Sequence, residues 1–420
     1  MASSADRISN LPDSLLSEIL SLLTLKESVA TSILSSRWKH LWTLVPNLDL
    51  DENKFRRKPL SSDEEQSPNR YHFRFADIVA RVCALHHVNP LKKFRLHWYF
   101  DCDPIHVDTL VRAAIARDLV ELELYILPGQ LFNFSYYVNT LVVLKLSGNI
   151  VINPPSSSSL GFSRLKNLHL QAVQYANHDS FSTLLNCCPV LQDLCIKAYC
   201  DGENYKYEIS VPTLKRLPFF ACCDSYELEI NAPALEYLSF EGALSDDVWL
   251  ENLSTLVEAK LAIGSANVTD HDFEDYKYLI RSFISALCSV KSLHVHARTI
   301  QCLCGVLPTF LEGAPNLEVL ILHKNFDHDG PPEKCENTFK STFFEDVAKC
   351  VSSHLTTFHF KGFQGSNTEM ELVGQILKWA TVLKKMTISS QYLDSEEELR
   401  VRMELLMLPR QSATCEVEFN

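Results

Sequence analysis

The sequence has little glycine, no excess of positive charge and no long apolar run, and each shortage excludes a class of protein. Only 12 of the 420 residues are glycine, and neither GxGxxG nor GxxxxGK[ST] occurs, so no glycine-rich phosphate loop is expected. The formal net charge is −13, whereas a dedicated nucleic-acid binder needs a concentrated positive face. No apolar run reaches the roughly 18 residues of a membrane-spanning helix. We therefore expect neither nucleic acid nor membrane as a partner.

Signals for catalysis or metal binding are also missing. GxSxG and HExxH do not occur, and no catalytic triad is evident. The 14 cysteines include two adjacent pairs and one CxC, at Cys187–Cys188, Cys222–Cys223 and Cys302–Cys304. Since no CxxC has a matching second half, a structural zinc site is not expected. Asp6 and Arg7 stand where a secretory leader would have its apolar core. We therefore expect a reducing compartment, cytoplasm or nucleus, with buried thiols.

The segment LPDSLLSEILSLLTLKESVATSILSSRWKHLW, from Leu11 to Trp42, is more apolar than its size explains. On a helical wheel six apolar residues share an arc about 160° wide. They are Leu15, Leu16, Ile19, Leu20, Leu22 and Leu23. A helix that packs on its own domain needs an arc of only about 100°. Part of this surface is therefore expected to meet a partner.

Three short helices are predicted in this segment. Asp13 is expected to cap the first, and Thr24 and Glu27 form a capping box at the start of the second. Ser35 or Ser36 is expected to cap the third. At about forty residues the unit is too small to build an ample core by itself. A charged segment, 51–70, follows and is predicted to be a linker, because its few apolar residues cannot support a fold.

From Leu91 onwards the chain repeats the phrase LxxLxL with conservative replacements. The twelve phrases start at Leu91, Leu119, Leu141, Leu165, Leu191, Leu214, Leu235, Leu256, Val290, Leu317, Leu355 and Leu383, with spacings of 21 to 38 residues. Such spacing is typical of leucine-rich repeats, in which positions 4 and 6 point inward along a short strand and position 1 enters the core. Longer spacings predict helices or insertions between strands. The predicted fold class is therefore α/β, a stacked solenoid.

Positions 5 and 7 of each phrase are expected to face outward. The candidates for contacting a partner there are Arg95, His97, Tyr125, Lys145, His169, Lys197, Lys260, His294, His296, His323, His359 and Lys361. This face is mildly positive and would suit an acidic or mixed peptide surface. The histidines around His294 and His296 leave three readings open. No carboxylate in register completes a zinc site, while a recognition patch and an ordinary polar surface both fit the pattern.

Three stretches resemble one known family. The opening segment resembles an F-box, in the version with LSSRWKHLW at its end. CPVLQDLCIKAYCDG, Cys187–Gly202, resembles a repeat segment of plant F-box/FBD/leucine-rich-repeat proteins, and Cys350–Ser390 is similar to the FBD domain that closes them. The resemblance implies a three-helix F-box over 1–50, the linker over 51–70, a solenoid over 71–345 and an FBD domain over 346–420.

In that family the F-box binds a Skp-type adaptor, and through it the cullin and RING subunits of an SCF (Skp–cullin–F-box) ubiquitin ligase. The repeats hold the protein that is ubiquitinated, whose identity is unknown here. By position, the implied adaptor contacts are Leu11, Pro12, Leu15, Leu16, Ile19, Leu34 and Trp38. The implied core residues of the unit are Leu20, Leu23, Val29, Leu41 and Trp42. The resemblance implies no catalytic residue, cofactor or metal. The alternative is a repeat scaffold without a ligase role.

Overall fold

The computed structural model describes residues 8, 10–55, 69–100, 103–127, 129, 131–154, 161–198, 205–264, 273–296, 311–324, 349–390 and 395–420. The chain divides into two compact units, Met1–Gln192 and Asp193–Asn420. Among the helices of the described ranges, none is long and apolar enough to cross a membrane. Each unit is built around parallel strands, in agreement with the α/β class predicted from the repeats.

The first unit opens with short helices. They are α1 (Asp13–Leu20), α2 (Leu25–Ala30), a 3-10 turn (Thr31–Ile33) and a 3-10 helix (Trp38–Leu44). The capping box is confirmed, since the Glu27 N–H donates to Thr24 Oγ1 at 3.3 Å and the Thr24 N–H donates to the Glu27 carboxylate at 2.9 Å.

The other two predicted caps are wrong. Asp13 is the first residue of α1 and not its cap, and the position before it is occupied by Pro12 without a side-chain bond. The third helix is of the 3-10 type, follows Arg37 and has no side-chain cap from Ser35 or Ser36. The Asp13 carboxylate instead binds Arg37 at 2.6 Å, a partner distant in sequence that no local capping pattern reveals.

In its described part, the first unit has a main sheet of five parallel strands and a smaller sheet of three short strands. In order, the main strands are β1 (Asn47–Asp51), β2 (Lys93–Trp98), β3 (Glu121–Ile126), β5 (Val143–Gly148) and β7 (Asn167–Gln171). The smaller sheet contains β4 (Phe132–Phe134), β6 (Ile150–Ile152) and β8 (Gln174–Tyr175). After the opening helices, those seen in the described ranges are α3 (Glu52–Phe55), α4 (Asn69–Leu85), α5 (Pro104–Ile115) and α6 (Ser180–Asn186).

The second unit repeats this plan. Its main sheet contains β9 (Asp193–Ala198), β11 (Arg216–Ala221), β13 (Tyr237–Gly242), β15 (Glu258–Ile263), β16 (Ser292–His296), β17 (Val319–His323), β18 (Thr357–Phe363), β19 (Lys385–Ser390) and β20 (Glu416–Phe419). Its smaller sheet contains β10 (Tyr205–Ser210), β12 (Tyr226–Asn231) and β14 (Val248–Glu251). The helices within its described ranges are α7 (Phe273–Ser285), α8 (Lys349–Ser353), α9 (Asn367–Trp379) and α10 (Ser395–Met407).

All twelve predicted repeats are confirmed. In each, the strand begins two residues after the first apolar residue of the phrase, and the side chains at positions 4 and 6 are buried. Repeats of 21 to 24 residues return through a strand of a smaller sheet, and α5, α6, α7 and α9 lie in repeats of 26 residues or more. The 26-residue repeat that starts at Leu165 contains both β8 and α6. Spacing thus predicts what connects successive strands.

The predicted linker is wrong at both ends. Asp51 is the buried last residue of β1, and the buried Glu52 begins α3 and accepts a 2.9 Å hydrogen bond from the Tyr99 N–H. At the other end α4 already begins at Asn69, and residues 56–68 lie outside the described part. Charged residues therefore take part in the fold here, because a backbone donor compensates the burial of Glu52.

Most cysteines of the described ranges are free thiols, as expected from the sequence. Free thiols occur at Cys83, Cys187, Cys188, Cys195, Cys222, Cys288, Cys350 and Cys415. Burial raises the pKa of Cys188 to about 12 and that of Cys350 to about 11, so both stay protonated. Cys223, in contrast, is disulfide-bonded, which the sequence did not predict. The predicted CxC at Cys302 and Cys304 lies outside the described residues.

Close strand packing makes Gly242 a sensitive glycine to test. Its φ is +132°, and an added Cβ would lie 1.9 Å from the Ala221 carbonyl oxygen on β11. We expect Gly242→Ala to lower the free energy of unfolding by more than about 1 kcal/mol, measured by urea unfolding. In the control Gly374→Ala, the new Cβ meets Leu408 at 3.5 Å inside α9, so the change should stabilise slightly. Equal effects of the two substitutions would contradict the packing argument.

Candidate functional site

The apolar arc of α1 divides into a buried and an exposed part. Leu16 and Leu20 are fully buried. An exposed row, called the α1 row below, consists of Leu15 (45% exposed), Ile19 (43%), Leu22 (86%) and Leu23 (42%). On the wheel the buried pair lies at about 100° and 140°, and Leu15 and Ile19 lie at about 0° and 40°, so the two sets occupy adjacent parts of α1. Leu22 and Leu23 follow the end of α1, in the turn after Leu20.

The buried part closes a small core. Leu16 and Leu20 pack with Trp38, Leu41 and Val45, and Leu11 packs against this cluster. Leu16 and Trp38 were predicted to contact an adaptor, and that part of the prediction is wrong because both side chains are inside the unit. Of the predicted core residues, Leu20, Leu41 and Trp42 are buried, while Leu23 and Val29 are exposed.

The other predicted contact residues are accessible to different degrees. Leu15, Ile19 and Pro12 are exposed, Leu11 is half-buried, and Leu34 is 64% exposed. The exposed apolar residues that were missed include Leu22 and the 88% exposed Ile33. Leu22 lay within the predicted apolar arc, so the signal was present. Ile33 lies in a 3-10 turn, where helical spacing gives no signal.

Arg37 fixes the start of α1 against the 3-10 helix. Its guanidinium donates to the Asp13 carboxylate at 2.6 Å and to the Leu11 carbonyl at 2.5 Å. These bonds join residues 24 and 26 positions apart in the sequence. The orientation of the α1 row therefore depends on this contact as well as on the apolar core.

On the face of the first main sheet, three predicted substrate-facing residues meet around one carboxylate, and a fourth packs beside them. Glu123 Oε1 lies 3.0 Å from Arg95 Nε and 2.8 Å from His97 Nε2, and Glu123 Oε2 lies 3.6 Å from Lys145 Nζ. The ring of Tyr125 lies 5.4 Å from that of His97. The hydrogen bond with His97, together with Arg95 and Lys145, lowers the pKa of Glu123 to about 2. The cations here are already paired, which the sequence did not predict.

In the second unit a different cluster occupies the same strand positions. We call it the histidine patch; it consists of Lys260, His294, His296, His323, His359 and Lys361. The rings of His296 and His323 are stacked at 4.8 Å with an interplanar angle of 2°. Burial, followed by His296 and Lys361, lowers the pKa of His323 to about 4. Within the described ranges no group of three or more His, Cys, Asp or Glu is arranged to hold a metal ion.

Of the two remaining predicted residues, His169 pairs in register with Lys145 of the cluster around Glu123, whereas Lys197 is aligned with Phe220 on β11. His169 is half-buried on β7 of the first unit, and Lys197 is exposed on β9 of the second. A further feature, not predicted, is a groove of about 740 Å³ between α9 and α10, lined mainly by Met370, Gly374, Gln375, Met403, Met407 and Leu408.

Comparisons with known proteins match the whole length of the chain. Family profiles match at residues 8–50 (F-box domain), 107–322 (LRR repeats of FBD-associated F-box protein At5g56370) and 345–388 (FBD). The FBD-associated F-box protein At3g52670 of Arabidopsis thaliana is 32% identical over 429 residues, covering 99% of this chain and 97% of the relative. The F-box/FBD/LRR-repeat protein At3g52680 of the same organism is 33% identical, covering 99% and 93%.

The division of the apolar arc predicts unequal losses of stability when two neighbouring leucines are replaced. We expect Leu16→Ala to destabilise by about 2–5 kcal/mol, because it leaves a cavity in the core. Leu15→Ala should change stability by less than about 1 kcal/mol, since that side chain is already half in water. Hydrogen–deuterium exchange of peptides from 10–45 in the full chain measures both. Similar protection in the two variants would contradict the division.

The histidine patch predicts a dependence of stability on pH. The folded-state pKa of His323, about 4, lies below its ordinary value of 6.5. Its contribution to stability is therefore present above pH 6.5 and is lost as the pH falls towards 4, where the unfolded chain binds the proton more tightly. We expect His323→Gln to reduce the loss of stability between pH 7 and pH 5, measured by urea midpoints at constant ionic strength. His178→Gln, at an exposed histidine, is the control and should leave the loss unchanged.

Proposed function

The chain belongs to the F-box/FBD/LRR-repeat family, and from this premise we propose that it is a substrate-receptor subunit of an SCF-type ubiquitin ligase. In this role the opening helices bind a Skp-type adaptor, which connects the chain to cullin and RING subunits. The repeats hold the client protein. The role requires the cytoplasm or the nucleus as the place of action.

The α1 row is the observation that carries this proposal. Four large apolar side chains remain exposed on a unit whose own core, around Leu16 and Trp38, is already closed. Completing the burial of such a row would contribute roughly 3–6 kcal/mol before the cost of association is subtracted. Contiguous apolar surface of this kind is typical of a protein contact. Ile33 and Leu34 add a second exposed pair beside the 3-10 turn.

In this role the chain itself does no chemistry. Holding a client beside the transferring subunits raises its effective concentration, which converts an encounter in solution into a nearly intramolecular step. The outward positions of the repeats supply the client contact. The first-unit cluster around Glu123 presents mostly paired charges, and the histidine patch of the second unit presents imidazoles and lysines.

Charge substitutions in the α1 row test the proposal. We expect Leu15→Asp together with Ile19→Asp to weaken capture of a purified Skp-type adaptor by at least about tenfold, because two carboxylates would have to be desolvated. Isothermal titration with the full chain measures the affinity. Ile105→Asp is the matched control, since Ile105 is 71% exposed on α5 of the same unit.

The proposal fails if the wild-type chain does not bind the adaptor, or if the double variant binds as tightly as the control. Either result would favour the alternative, a repeat scaffold without a ligase role. Both changed side chains are on the surface, so we expect the variants to keep the wild-type fold. Circular dichroism of each variant measures this.

A further inference from the structure

Strands β15 to β19 bring histidine and lysine into two adjoining rows on one face of the second unit. The register aligns Lys260 with His294 in one row, and Ile321 with His359 follows in the same row. In the other row His296 pairs with His323, and His323 pairs with Lys361. Residues paired across parallel strands lie about 4.8 Å apart, so the rows form one continuous surface.

The imidazoles of this surface are partly desolvated yet poorly paired. His296 and His323 are half-buried and stack on each other, and His294 lies 6.2 Å from His323. Among the described residues, neither His296 nor His323 makes a hydrogen bond through a ring nitrogen, whereas His359 Nε2 lies 3.0 Å from Ser389 Oγ. Half-buried ring N–H groups that lack a hydrogen-bond partner favour the binding of a ligand that accepts hydrogen bonds.

The charges around the stack are mostly cationic. The ionisable groups that face it are Glu258 and Lys260 on β15, His294 and His296 on β16, His359 and Lys361 on β18, and Lys385 on β19. Glu258 lies at the border, 3.4 Å from Lys260 and 3.6 Å from His294, and Lys385 pairs with Glu418 at 2.8 Å. Lys361 has no carboxylate within ion-pair distance in the described part of the chain. The centre of the patch therefore lacks negative charge.

We propose that the histidine patch binds an acidic segment of the client protein, whose carboxylates lie across β16–β18 against His296, His323 and Lys361. This inference rests on the proposed function only in taking the ligand to be the client. Carboxylates accept hydrogen bonds from the imidazole N–H groups and pair with the lysine. The two rows run across the strands, so an extended segment that follows them would cross β16–β18.

A metal ion fits this geometry less well than an acidic peptide. Ligands of one ion converge on it, whereas the parallel rings of His296 and His323 are stacked face to face. A basic segment would be repelled by Lys260 and Lys361 and could form an ion pair only with Glu258. A negatively charged segment therefore complements the charge of the histidine patch better than a positively charged one.

The proposal also gives the sign of the pH dependence. Burial and the neighbouring cations lower the pKa of His323 to about 4, and burial likewise lowers the pKa of His294 and of His359. A bound carboxylate favours the protonated imidazole, so binding takes up protons. By linkage the affinity then rises as the pH falls.

Fluorescence anisotropy with the full chain tests the proposal. The probes are a labelled decapeptide of alternating glutamate and serine and its lysine–serine counterpart, at pH 7.5 and pH 5.5 and constant ionic strength. We expect the glutamate peptide to bind about tenfold more tightly at pH 5.5. His296→Gln with His323→Gln should remove that difference, and Lys361→Gln should weaken binding at both pH values. His178→Gln should behave as the wild type.

The proposal is overturned if the glutamate peptide does not bind at pH 5.5, or if the lysine peptide binds equally well. Loss of binding in EDTA would also overturn it and would indicate a metal site. Displacement by millimolar inorganic phosphate would overturn it as well and would indicate a phosphate site. Adaptor capture is measured on the same proteins and separates the two proposals. Capture without peptide binding contradicts only the client assignment, and peptide binding without capture contradicts only the ligase role.

Discussion

Parallel pairing of neighbouring repeats is the interaction on which the rest of the structure depends. One repeat cannot bury its inward side chains alone, because they are covered only by the corresponding residues of the strands beside it. In the second unit the register aligns one such row, each side chain at most 1% exposed: Leu217, Leu238, Ala259, Leu293, Leu320, Phe358 and Met386. The inward positions are therefore restricted to apolar residues, and the outward positions are free to carry binding chemistry.

The two units use that freedom differently. Around Glu123 the charges of the first unit satisfy one another, so the cluster stabilises the sheet but offers few free groups. In the histidine patch, stacked imidazoles stand beside lysines with a single bordering carboxylate, Glu258, among the described residues. Charged groups that are already paired form few new bonds with a ligand. Unpaired imidazoles and lysines, in contrast, form hydrogen bonds with a bound anion, and the anion reduces the repulsion between them. This difference makes the patch the better candidate for recognition.

Periodicity predicted the twelve repeat strands because burial at positions 4 and 6 is a local constraint. It missed β1, whose phrase begins with Val45 and runs into the charged Asp51 and Glu52. It also missed β20, where Thr414 stands in place of the first leucine. The wheel found the apolar arc of α1 but could not divide it, since the position of Trp38 decides which side is covered. The pairing of Arg37 with Asp13 likewise depends on tertiary contacts.

The early start of the sheet changes how the opening helices are held. The 3-10 helix ends at Leu44 and β1 begins at Asn47, so the helical unit passes directly into the first strand of the repeats. Buried His86 binds the Val45 carbonyl at 2.7 Å, and the Pro46 carbonyl accepts from the Lys92 N–H at 2.8 Å. The α1 row is therefore fixed relative to β1 and β2 and is not carried on a free tether. In the proposed role this rigidity matters, because a bound client gains most from proximity when its distance from the catalytic subunits is defined.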